Sequence, residues 1–161
     1  MNYPNRIAYL VDKLGMLPHP EGGYYTETYR HSESIQTDSG ERNLSTVIYF
    51  LLTSENVSKF HRIKSDEHWF WHEGSSLNVH LLNEKGHEIL RLGPVDNQDC
   101  QPQQLVPANT IFGSSVEESD SYALVSCVVA PGFDFRDFEL FSEDELLKEY
   151  PNESEIIRRL T

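Results

Sequence analysis

Between Phe60 and Ser75 the chain reads FHRIKSDEHWFWHEGS, which gathers His61, His68 and His72, Trp69 and Trp71, and the carboxylates Asp66, Glu67 and Glu73. Such a mixture suits a metal centre of imidazole and carboxylate, an acid/base pair, or a polar patch on an apolar wall that orients a small ring. On an extended strand, residues two apart share a face, so Glu67, Trp69 and Trp71 point one way and His68, Phe70 and His72 the other. His61 and Ile63 share a face on the preceding strand. A carboxylate facing an apolar interior is costly unless it is protonated, paired or hydrogen-bonded. His61 is the natural partner for Glu67.

The elements that must hold these residues are mostly short strands. Runs rich in β-branched and aromatic residues (YYTETY, LSTVIYFLLT, VSKFHRI, EHWFWHE, LNVHLL, HEILRLG, PQQLVP and YALVSCVVA) are separated by turn signals at Glu73-Gly74-Ser75, Glu84-Lys85-Gly86 and Gly93-Pro94. Short strands at this spacing predict an all-β sandwich or barrel. Helical periodicity is confined to the ends. Ile7, Leu10, Val11 and Leu14 form one face after Pro4 and stop at Gly15, while Ser142 and Glu145 make a capping box before Leu146 and Leu147, closed by Pro151. Ile156, Ile157 and Leu160 predict a last short helix.

With 161 residues the chain is long enough to bury a core without metal or disulfide staples, and a single domain, residues 1–161, is expected. Thirteen basic against twenty-six acidic residues give a formal net charge of −13, which argues against a nucleic-acid duplex or an anionic membrane as partner. Cys100 and Cys127 lack the spacing of a metal site or a nucleophile and are expected as buried thiols. No charged leader with an apolar run and no long apolar stretch is present, so a soluble, cytoplasmic protein is expected.

The spacing His61-x-Ile63-x3-Glu67-x6-Gly74 resembles the first motif of the cupin superfamily, His-x-His-x3-Glu-x6-Gly, with isoleucine at the second histidine. The second motif, Pro-x-Gly-x2-His, falls on Pro107 to Phe112, with Asn109 for its glycine and Phe112 for its histidine. HPEGGYY (His19 to Tyr25), STVIYFLL (Ser45 to Leu52), FHRIKSDE (Phe60 to Glu67) and APGFDFRDFEL (Ala130 to Leu140) are similar to the small single-domain branch known as the fifth cupin family. The resemblance implies an RmlC-like double-stranded β-helix, that is, a cupin jelly-roll barrel with short terminal helices, paired into homodimers and carrying a pocket in the barrel. It implies no particular reaction.

In metal-binding cupins two histidines and a glutamate come from the first motif and a histidine from the second. Only His61 and Glu67 stand at those positions, too few for a tight site. A divalent metal there is disfavoured, and no cofactor is expected. The expected ligand is a small polar or ring-containing molecule, oriented by His61 and Glu67, with Trp69 as a flat wall and core filling as the role of Trp71. Strand parity lets only one of Ser45 and Thr46 face inward, and Thr46 is expected to add a hydroxyl. Phe112 and Phe135 complete the expected lining, Phe135 within a segment read mainly as a cover for the barrel end. Two further readings stay open: a metal-independent isomerase or epimerase with His61 as base, Glu67 as its partner and Tyr24, Tyr25 or Tyr49 as acid, and a metal-dependent oxygenase. Glu21-Gly22-Gly23 has neither the spacing nor the lysine of a phosphate loop and reads as a turn into the first strand, near the pocket mouth by resemblance.

Overall fold

The computed structural model describes residues 2–161. A first helix, α1 (Tyr3–Leu14), begins where the Asn2 side chain accepts the Asn5 amide and ends at Gly15 in a left-handed conformation. Both ends satisfy backbone groups that a helix leaves unpaired. The chain then runs through β1 (Leu17–Pro18), β2 (Tyr24–Arg30), the hairpin β3 (Ser34–Thr37) and β4 (Gly40–Asn43), β5 (Thr46–Thr53), β6 (Val57–Arg62), β7 (Asp66–Gly74) and β8 (Leu77–Asn83). It continues as β9 (Gly86–Leu92), β10 (Gln103–Val106), β11 (Ile111–Ser115), β12 (Tyr122–Ala130), β13 (Glu139–Leu140), α2 (Glu143–Glu149) and α3 (Ser154–Arg159).

A six-stranded sheet, ordered β1-β2-β5-β12-β7-β10, faces a five-stranded one, ordered β13-β6-β11-β8-β9. Their inner faces share a core that includes Phe50, Leu52, Trp69, Val79, Phe112 and Val125. Part of each outer face is covered by the terminal helices. Leu10 and Met16 pack on Leu51 and Leu124 of the six-stranded sheet, while Leu146, Ile157 and Leu160 pack on Phe60, Leu82 and Ile111 of the other. The expected capping box at Ser142 and Glu145 is formed from both sides and starts α2. All three helices are amphipathic pieces that dry a sheet face too wide for its own side chains.

Register fixes which residues look inward. Thr46 pairs with Val129 and Val129 with Glu67; two rungs on, Ile48 pairs with Cys127 and Cys127 with Trp69. These rungs therefore lie side by side on the inner face, at the end of the barrel where the sheets part. At the opposite end Leu52, Leu77, Leu92 and Ala123 are wholly buried and close the barrel. β7 keeps its alternation through Trp71 and then bulges before Glu73, so His72 falls out of step beyond the site.

Two strand regions were not expected. The hairpin β3–β4 has polar residues on both faces, and β11 reads IFGSS, with glycine and serine where a strand normally shows β-branched residues. β11 is nevertheless buried throughout, because it is the central strand of its sheet and β6 and β8 satisfy both its edges.

Candidate functional site

Where the sheets part, a cavity of about 440 Å³ opens between β2, β5, β6, β7, β12 and the segment after β12. Thr46, His61, Glu67, Trp69 and Phe135, all singled out from the sequence, line it. Phe112 does not. It is 1% exposed in the core, with its ring centroid 4.2 Å from that of His61, so it backs the histidine instead of touching the cavity. Trp71 also lies off the cavity, against the core, its indole N–H donated to Ser75 O at 3.0 Å. Of the tyrosines, Tyr25 lines the cavity, while Tyr24 and Tyr49 belong to the cluster under α1. A strand pleat separates Tyr24 from Tyr25, which sequence parity alone could not orient.

The residues missed in the sequence are His19 and Glu21. They arrive on the turn between β1 and β2, whose Gly22 and Gly23 have φ of +113° and +78°. A Cβ at Gly22 would lie 2.1 Å from Val57 O, and one at Gly23 2.6 Å from Leu51 O. Only glycine permits this close approach. It presses the turn onto β5 and β6 and lays Glu21 into the barrel at 5% exposure. Glu21 Oε2 is 3.1 Å from His19 Nδ1 and 3.9 Å from His61 Nδ1. The glycine pair was the one sign of an unusual backbone here, and it did not say which neighbour would enter the barrel.

His61 is 7% exposed and Glu67 8%. His61 Nδ1 lies 2.6 Å from Lys59 O; since a carbonyl only accepts, Nδ1 carries the proton and Nε2 is the acceptor of the neutral ring. Glu67 Oε2 accepts the Trp69 indole N–H at 3.0 Å. Neither His61 Nε2 nor Glu67 Oε1 has a protein partner, and the one fully sealed side-chain polar atom without a partner among the described residues is Ser114 Oγ. The two atoms are therefore reached from the cavity.

Burial disfavours charge on both groups. It pushes the Glu67 carboxyl up to about 8, helped by the nearby Glu21 charge and opposed by the Trp69 hydrogen bond. It also lowers the His61 imidazole below its ordinary range, against a raising effect from Glu21. Near neutral pH the cavity floor thus offers a protonated carboxylic acid and a neutral imidazole. That is a donor beside an acceptor.

At the mouth, Phe133, Phe135 and Phe138 from the segment after β12 stand over the cavity. The Phe133 amide is donated to Thr46 Oγ1 at 2.9 Å, and Arg42, 4% exposed, pairs with Asp137 at 2.8 Å. So the segment both covers the barrel end, as expected, and lines the cavity. Phe141 instead joins the cluster under α2 and α3.

The donor set does not fit a cupin metal. Ile63 and Phe112 fill the places of two histidine ligands, and among the described residues no three His, Cys, Asp or Glu side chains gather to hold an ion. Cys127, on the cavity wall beside Trp69, is buried and its thiol is pushed well up by that burial.

A β-barrel of two facing antiparallel sheets with its pocket at one end is the architecture of the cupins. The family model described as Cupin superfamily (DUF985) matches residues 8–141, and the chain belongs to that family. The uncharacterized protein YML079W of Saccharomyces cerevisiae is 31% identical over 89% of this chain and 79% of its own length. A hypothetical protein from Leishmania major superposes with a TM-score of 0.90 at 35% identity, covering 96% of this chain and 97% of that one. Protein SO0799 from Shewanella oneidensis does so with a TM-score of 0.87 at 38% identity, covering 94% of each. No helix among the described residues is long and apolar enough to cross a membrane.

Proposed function

We propose that this cupin binds a small, ring-bearing polar molecule in its barrel, without a metal. The observation that carries this reading is the pair of open atoms, His61 Nε2 and Glu67 Oε1, at the floor of a cavity walled by Trp69, Phe50 and Tyr25. Buried polar atoms normally find partners. A pair that points its spare donor and acceptor into an aromatic-walled space is built to be completed by a ligand. The ring would lie against Trp69 and its polar edge would meet the pair.

A second reading has its own support. A neutral imidazole with a free Nε2 is competent to take a proton, and a carboxyl with a pKa of about 8 is competent to give one near neutral pH. The same floor suits a metal-independent isomerase or epimerase with His61 as base, and of the three candidate tyrosines Tyr25 is the one that lines the cavity. A metal-dependent oxygenase ranks last, because only His61 and Glu67 remain of its ligand set.

The test is to denature the purified protein, identify released small molecules by liquid chromatography and mass spectrometry, and measure bound metals in the same sample. A ring-bearing compound recovered from wild type but not from Glu67→Gln supports the reading. A stoichiometric transition metal lost with Glu67→Gln would overturn it.

The free, buried state of both cysteines fits a reducing, cytoplasmic setting. Tyr29 and Leu105 are 49% and 41% exposed on the six-stranded sheet, in strands whose alternate residues face the barrel. With Val47, Val128 and His68 between them on one rung, and Phe70 on the next outward rung, they offer a largely apolar band on which a second copy would pack, giving the expected homodimer. Light scattering of wild type and Leu105→Glu is the check: a dimer that the substitution dissociates is expected, and a wild-type monomer would rule it out.

A further inference from the structure

The cavity lining carries an unusual balance of charge. Its acidic side chains are Glu21 and Glu67 inside with Glu27 and Asp134 at the rim, and Arg30 is the one Lys or Arg among the described residues that line it. Arg30 is not free to meet a ligand. It donates to Glu27 through Nε and Nη2, to Asn43 Oδ1 through Nη1, and to Phe133 O through Nη1 and Nη2. Those five bonds match the five N–H groups of a guanidinium.

Inside, the polar atoms are mostly acceptors. Glu21 Oε1 and His61 Nε2 are acceptors without a protein partner, Glu67 Oε1 is likewise unpartnered and offers the proton described above, and the Glu21 carboxylate lies 3.1 Å from His19 Nδ1, 3.5 Å from Ser58 Oγ and 3.9 Å from His61 Nδ1. His61 is moreover held neutral by burial. Trp69, Tyr25 and Phe50 line the same space, and aromatic ring faces attract a cation and not an anion. A phosphate or carboxylate entering here would meet no free cation and at least one buried carboxylate.

From this we infer that the cavity selects ring-bearing molecules whose buried end is rich in N–H groups and neutral or cationic, such as an amidine, a guanidine or an amino-substituted heterocycle, and excludes phosphorylated and carboxylated ones. This rests on the cavity being a ligand site, as proposed above. It narrows the isomerase reading too, since a nucleoside-diphosphate sugar would bring two phosphates to a mouth without a free base. When a cation binds, Glu67 ionises to meet it and releases its proton. The other titratable groups facing it are Glu21, His19, His61 and Cys127, of which burial holds the His61 ring neutral and the Cys127 thiol protonated.

The test uses three probes of one shape and differing charge, benzamidine, benzamide and benzoate, titrated calorimetrically into the full-length protein near neutral pH. Benzamidine is expected to bind at least about tenfold tighter than benzamide, a difference of about 1.4 kcal/mol, and benzoate to bind weakest. Titration in two buffers of different ionisation enthalpy is expected to show proton release with benzamidine and none with benzamide. Glu21→Gln is expected to narrow the gap between those two probes. Because the ranking is read in wild type, it stands whether or not the variant folds. Benzoate binding as tightly as benzamidine would overturn the inference and leave the ligand site standing. No binding by any of the three at roughly 10 mM, generous for ligands of this size, would overturn both.

Discussion

His61 and His80 are both buried imidazoles on strands of the five-stranded sheet, one facing into the barrel and one facing out beneath the C-terminal helices. His80, 2% exposed, uses both ring nitrogens: Nδ1 lies 2.9 Å from His87 Nε2 and Nε2 2.7 Å from Ser115 Oγ. Ser115 passes the chain on to Glu117, which Arg159 of α3 holds at 3.0 Å. This network is closed. It ties α3 to the sheet and leaves nothing for a ligand. His61 spends one nitrogen on Lys59 O and leaves the other open. The difference shows that burial and a shifted pKa, which both histidines share, do not mark a site; an unspent polar atom facing a cavity does.

The two regions should also fail at opposite ends of the pH scale. Glu67 titrates higher in the folded protein than in the unfolded chain, so its contribution to stability is fully present below the unfolded carboxylate pKa and is lost as pH rises through about 8. Glu67→Gln should therefore stabilise the protein above pH 8 by up to roughly 4 kcal/mol, with a gain that shrinks toward pH 5. Denaturant melts at several pH values read this directly. A variant no more stable than wild type at alkaline pH would mean that Glu67 is paired or hydrated.

His80 has the opposite sign. Burial, with His87 adding to it, lowers it to about 4, so its stabilisation is complete above the unfolded imidazole pKa and is lost as pH falls from there toward 4. Wild type should lose up to about 3 kcal/mol over that window through this residue, with His61 adding to the acid sensitivity, and His80→Gln should flatten the slope. An unchanged slope would remove His80 from the explanation.

Much of this was legible beforehand. Parity placed Glu67 and Trp69 inward because β7 alternates regularly up to its bulge, and His61 with Ile63 because both lie beyond the irregularity in β6; the helix ends were readable because Gly15 and the Ser142–Glu145 box act within a few residues. Glu21 was not legible, since its position follows from how closely Gly22 and Gly23 let a turn approach Val57 and Leu51, strands distant in sequence. Phe112 was assigned to the cavity from its place in a metal-binding motif. Once the histidine is a phenylalanine, however, packing against Trp69 and His61 draws it into the core. The His80 network escaped notice because its members lie on β8, β9, β11 and α3, and only the pairing of β8 with β9 and β11 brings them together.

The smallest expected effect lies at the mouth. Phe135 is 55% exposed, so Phe135→Ala should change stability by no more than about 0.5 kcal/mol while weakening benzamidine binding a few-fold. A large loss of stability would instead make it part of the cover's own packing.

The open nitrogen of His61 is best tested by native mass spectrometry of wild type, His61→Ala and His80→Gln purified in parallel. An organic adduct without metal is expected on wild type and on His80→Gln and should be missing from His61→Ala, by an affinity loss of about a hundredfold or about 2.7 kcal/mol. An adduct retained equally by His61→Ala, or a stoichiometric metal in its place on wild type, would contradict a metal-free site centred on His61 and Glu67.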